Sequence, residues 1–159
     1  MGDYNVFVSV GATATEKQEI FVRAVEERLR SEGINPHTVG RNTFSAVAPF
    51  EQVTELLDKC HGAVVIALER TYFPLGLEKR GGPKEAKLSE VRYPSPWNQI
   101  EAGMAFTRGL PLMVIVEEGC EAKDCLSEVL NGTSNPSNRR RRLSRRRNSM
   151  AYSRVGNKK

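Results

Sequence analysis

The segment "GAVVIAL", Gly62 to Leu68, is apolar at every position. A strand with one wet face alternates polar and apolar residues, so a run without a polar member is a strand covered on both faces. Such a strand needs helices on each side of its sheet, and the rest of the chain supplies them. "YNVFVSV" (Tyr4 to Val10) is a second β-branched and aromatic run, which breaks at Gly11. "INPHTV" is a weaker strand, and "LMVIV" (Leu112 to Val116) another buried one. Between them, "TATEKQEIFVRAVEERLRSEG" has helical spacing, with Ile20, Phe21, Ala24, Val25 and Leu29 on one face. Thr13 or Thr15 can cap its start, and Gly33 can close its end. "APFEQVTELLDKC" is a shorter amphipathic helix that turns Val53, Leu56 and Leu57 inward. Ser95-Pro96 opens a third helix, which Gly109-Leu110-Pro111 stops.

This alternation predicts an α/β fold: a three-layer sandwich with a short parallel sheet in spatial order 2-1-3-4, flavodoxin-like. No fifth strand is visible after Val116. The segment "ERTYFPLGLEKRGGPKEAKLSEVRYP" is expected to be a long loop, and a lid over a pocket would suit it. The predicted division is an α/β domain over 1–130 and a disordered Arg-rich tail over 131–159.

The formal charge of +5 conceals that division. From Asn138 onward there are ten of the 24 Lys/Arg and none of the 19 Asp/Glu, leaving 14 basic against 19 acidic residues in the body. Any inference from basicity to nucleic acid concerns Arg139–Lys159 alone. "RRRRLSRRRNS" carries Arg-Arg-x-Ser twice, at Ser144 and Ser149, a basic-directed kinase pattern, and also suits nuclear import or polyanion contact. No apolar run approaches the ~20 residues of a membrane span. "MGDYNVFVSV" has no basic region ahead of an apolar one. The expected setting is cytoplasmic, or nuclear through the tail. Cys60, Cys120 and Cys125 are odd in number and lack the partners of a zinc site, so reduced, structural thiols and no metal are expected.

In an open parallel sheet, ligands bind beyond the carboxyl ends of the strands, where strand order reverses. Gly11-Ala12-Thr13, leading into a helix, can offer backbone N–H groups to a phosphate, or can be a plain tight turn. On the third helix Trp97, Glu101 and Ala105 align at i, i+4 and i+8, flanked by Ile100 and Met104. Glu101 therefore falls on or beside the core-facing stripe, one turn in from the helix start. Periodicity alone leaves open a buried carboxylate at a cleft or an ordinary surface contact.

"VFVSVGATATEKQEIFVRAVEERLRSEG" resembles the opening box of TIR domains, and "SPWNQIEAGMA" resembles their Ser, Trp, then Glu motif. "EAGMAFTRGLPLMVIV" is similar to nucleoside 2-deoxyribosyltransferases, in which a helix carries the catalytic Glu. The likeness spans residues 4 to 117 and none of the tail. It implies a flavodoxin-like domain that cleaves an N-glycosidic bond, with Glu101 at the substrate's C1′ and NAD or a nucleotide as substrate, not cofactor. It further implies that Ser9, Val10 and Gly11 line the nucleotide, that Trp97 walls the pocket, and that Arg41 and Asn42 sit in the loop after the second strand. Asn98 departs from the pattern, since TIR motifs often have Cys there. Three classes of function stand: a glycosidic enzyme, a non-catalytic TIR-type interaction or nucleotide-sensing module able to self-associate, and a nucleic-acid-tethered accessory protein.

Overall fold

The computed structural model describes residues 4–39, 49–121, 126–127 and 153–155. In chain order the elements are β1 (Tyr4–Val10), α1 (Glu16–Ser31), β2 (Ile34–His37), α2 (Pro49–Lys59), β3 (Gly62–Ala67), β4 (Thr71–Glu78), β5 (Ala86–Tyr93), α3 (Pro96–Thr107), β6 (Leu112–Glu117) and β7 (Ser153–Val155). The main sheet runs β2-β1-β3-β6-β7, and every pairing in it is parallel. Its first four members stand in the order expected from the sequence, within a flavodoxin-like sandwich. Where no fifth strand was expected, β7 pairs Ser153 with Ile115 and Val155 with Glu117. Three residues beyond an arginine block carry no readable period-2 pattern, which is why the strand escapes notice.

Side chains alternate across the sheet. Phe7, Ala63, Val65, Ala67, Leu112 and Val114 meet α2 and α3 on one face. Val8, Val64, Ile66 and Ile115 meet Val22 of α1 on the other, with Val25 and Leu29 packed alongside. Strand β3 is buried along its whole length, as its composition demands.

Thr15 is the cap of α1: its hydroxyl accepts from Gln18 N, while Gln18 Oε1 accepts from Ala14 N, one residue before the cap, at 2.9 Å. The buried stripe of α1 is Gln18, Val22 and Glu26, with Val25 and Leu29 half-buried. Ile20 and Ala24 point to solvent instead, because the docked face lies one position beyond the apolar line read from the sequence.

The supposed long loop is an antiparallel hairpin, β4 on β5, with Thr71 opposite Tyr93 and Glu78 opposite Ala86. Its turn uses Gly81 at φ 76° and fixes Gly81 N on the Glu85 carboxylate at 2.6 Å. The ladder skips the position where Pro74 faces Glu90, since proline has no N–H and Glu90 stands at φ 54°. Pro74 and Gly76 are what break the strand pattern in "TYFPLGLE". The hairpin is tied to the body at its base, where Arg70 N donates to Tyr93 O and Glu121 N donates to Arg92 O.

Candidate active site

Because β2 lies on one side of β1 and β3 on the other, the strand order reverses at β1, and a cleft of about 280 Å³ opens there at the carboxyl ends. Val10, Gly11 and Ala12 beyond β1 form one wall. Val39 and Val53 close the side toward β2 and α2, and Ser95, Trp97 and Glu101 come from the start of α3. Arg70, just after β3, completes the lining.

Helix α3 starts where it does because Ser95 caps it, its hydroxyl accepting from Trp97 N, and Pro96 needs no N–H partner in the first turn. The buried stripe is Asn98, Glu101, Ala102 and Ala105, spaced i, i+3, i+4 and i+7. The two alanines let the helix lie close on β3 and β1. Trp97 belongs beside that stripe and not within it: it is 38% exposed and packs at 5.0 Å on Phe50 of α2. Gly11 approaches the helix start so closely that a Cβ there would lie 3.2 Å from Ser95 Cβ. A glycine is therefore what lets the end of β1 meet the cap.

Glu101 is 8% exposed, and burial pushes its carboxyl up to about 7 against the lowering effect of a hydrogen bond from Ser9. The direction of that bond follows from Asn98, which is 1% exposed. Asn98 Nδ2 faces the carbonyls of Ser9 at 3.4 Å and Ile66 at 3.5 Å and donates to Ser9 Oγ at 2.9 Å. Carbonyls only accept, so the amide nitrogen must sit on that side. Ser9 Oγ then accepts from Asn98, and its single proton is left for the Glu101 carboxylate. Asn98 is thus what orders this network. Its Oδ1 is buried with no partner among the described residues.

Ser9 supports Glu101 from below, whereas Val10, Gly11, Trp97 and Glu101 line the cleft itself. Arg41 and Asn42 lie outside the described residues, as do Ser144, Ser149 and Cys125. Arg70, Val39 and Val53 line the cleft without having been read as site residues from the sequence, and Phe50 backs Trp97 from α2.

The loop into α1 has some of its donors already engaged and acidic residues beside it. Gln18 occupies Ala14 N, Thr13 Oγ1 donates to Glu19 at 2.8 Å, and Glu16 and Glu19 place negative charge in the first turn. The hairpin is no lid on this cleft: its Glu90 and Arg92 line a second hollow of about 500 Å³ on the α1 side. Glu117 in that hollow is structural, accepting from Glu69 N at 2.7 Å and Gln18 Nε2 at 3.0 Å. Cys60 and Cys120 are free thiols that burial pushes up to about 11, so both are protonated and inert at neutral pH. Among the described residues no group of His, Cys, Asp and Glu could hold a metal ion, and no helix is long and apolar enough to cross a membrane.

The sequence matches no family model, and no curated protein matches it. Among solved structures, the CMP N-glycosidase BcmB of Clostridium botulinum is similar at 16% identity and a TM-score of 0.54, over 96% of this chain and 90% of that one. The TIR domains of the activated Roq1 resistosome are similar at 13% identity and a TM-score of 0.45, over 89% of this chain and 78% of that one. A conserved protein from Enterococcus faecalis V583 stands at 13% and 0.44, over 86% and 77%. The class is thus a flavodoxin-like α/β domain, similar in fold to that CMP N-glycosidase. The likeness lies in the fold, and the chemistry rests on the site.

Proposed function

We propose that this chain cleaves the N-glycosidic bond of a nucleoside or nucleotide, NAD included, and that Glu101 is its catalytic residue. The single observation that carries this is a buried carboxylate at the floor of the cleft at β1, its charge disfavoured by burial and its orientation set by Ser9 and Asn98. As the C1′–N bond breaks, the bonding pair leaves with the base and positive charge develops at C1′. A carboxylate that is costly to ionise in the free site is the one most relieved by that charge, either as an electrostatic partner or as the nucleophile that traps C1′. Water then attacks C1′, breaking the Glu101–C1′ bond where one has formed and passing its proton to the departed base or to solvent; a second base in its place gives transfer. No cofactor enters this scheme, since NAD or a nucleotide is the substrate. The CMP N-glycosidase among the similar structures is in keeping with this chemistry.

The test is a chromatographic assay with NAD, NADP, CMP and a deoxynucleoside plus free adenine, using the wild type and Glu101→Gln at high protein concentration. Base release or exchange by the wild type, reduced at least ~10³-fold in the variant, is expected. Equal turnover by both proteins would sink the proposal.

A second reading is favoured by one observation. The hairpin exposes Tyr72, Phe73, Leu75 and Leu77, with Leu75 79% exposed, which is unusual for a surface that meets only water. In that reading the domain is an interaction or nucleotide-sensing module that assembles with copies of itself. Self-association that survives Glu101→Gln and is lost in Leu75→Arg would support it. We also propose that Arg139–Lys159 contacts polyanions.

A further inference from the structure

We propose that Arg70 reads a phosphate on the ligand, so that the site takes a nucleoside 5′-phosphate in preference to the nucleoside. This deepens the glycosidic reading and rests on it for the position of the ribose.

Arg70 is the one cation among the described residues that line the cleft. Arg23, Arg28, Arg30, Arg92 and Arg108 each hold a carboxylate, but Arg70 holds none among the described residues. Its guanidinium makes one long contact, Nη1 to Ala12 O at 3.3 Å, which steers it toward the cleft and leaves most of its donor fork unused. The adjacent Glu69 does not neutralise it, because that carboxylate pairs with Arg92 at 3.4 Å. A planar fork with no carboxylate partner among the described residues, at the rim of a concave site, matches a phosphate with two parallel hydrogen bonds.

The surroundings restrict where an anion can sit. The start of α1 disfavours one through Glu16 and Glu19 and through the hydrogen bonds already made by Ala14 N and the Thr13 hydroxyl. The start of α3 has no acidic residue in its first turn and faces the same cleft through Ser95. An anion at the rim between Arg70 and Ser95 leaves Glu101 for the neutral ribosyl carbon. About 280 Å³ suits one nucleotide unit and is small for a whole dinucleotide.

The test is calorimetric binding of the four ribonucleoside 5′-monophosphates, their nucleosides and NAD to Glu101→Gln and to Glu101→Gln/Arg70→Gln. Unfolding curves of the two proteins are recorded to show that both are folded. At least one monophosphate is expected to bind about 10- to 100-fold more tightly than its nucleoside. In the double variant that ratio falls toward one, and Arg70→Lys restores part of it. Equal affinities in the Glu101→Gln protein, no binding of any monophosphate, or a ratio that persists without Arg70 would each overturn the inference. NAD bound more tightly than every monophosphate would overturn its mononucleotide half. Binding is read without turnover, so the two claims fail separately. A phosphate preference in a protein that releases no base leaves Arg70 standing and removes the glycosidase. Base release at equal kcat/KM from nucleotide and nucleoside removes Arg70 and keeps Glu101.

Discussion

At Glu101 two effects oppose each other: burial raises the carboxyl, and the Ser9 hydroxyl lowers it, with burial the larger. The folded protein therefore holds this proton up to about pH 7, whereas the unfolded chain loses it near 4.5. Between those values the folded state binds more protons, so the contribution of Glu101 to stability falls as pH rises and is spent above pH 7. Glutamine carries no such penalty. Glu101→Gln is accordingly expected to be more stable than the wild type by up to about 3 kcal/mol at pH 8, and no more stable at pH 4. Urea unfolding of both proteins at the two pH values measures this. Equal stability at pH 8 would show that the carboxylate is solvated after all.

Helix α3 is positioned by small and polar residues more than by bulk. Asn98→Ala removes the amide that ties the helix to β1 and β3 and is expected to cost about 1–3 kcal/mol of unfolding free energy. Ala102 is fully buried on β3, so Ala102→Leu is expected to lower stability by about 1–3 kcal/mol through overpacking and to lower activity by displacing Glu101. Denaturant midpoints and turnover for both variants check this. The main elements were legible because their apolar residues repeat with a clear period: the unbroken β3, and the line through Glu101 on α3. The hairpin was not, because Pro74 and Gly76 interrupt its alternation at the edge of a two-stranded sheet, where such residues are tolerated. The place of Glu101 was legible to within one helical position and Trp97 lines the cleft, but nothing in the sequence marked Asn98 as buried. Its amide lies in the core because it donates toward the strand-end carbonyls and Ser9 Oγ.

Over the whole molecule, charge divides along the chain. The residues before Asn138, which supply the cleft, hold 14 basic against 19 acidic residues, and ten basic residues lie from Asn138 onward. Replacing the arginines at 139–142 and 145–147 with serine is expected to shift elution from a heparin column to lower salt while leaving base release unchanged. Retention at unchanged salt would place the polyanion contact elsewhere. Fold, cleft and buried carboxylate converge on one claim, that Glu101 must be ionised to meet a positive C1′. The most direct measurement is kcat/KM for base release from pH 5 to 9 in the wild type and Ser9→Ala. The account predicts a rise with pH through an apparent pKa near 7, displaced upward when the Ser9 hydroxyl is removed. A flat profile, or one that falls across this range, would contradict it.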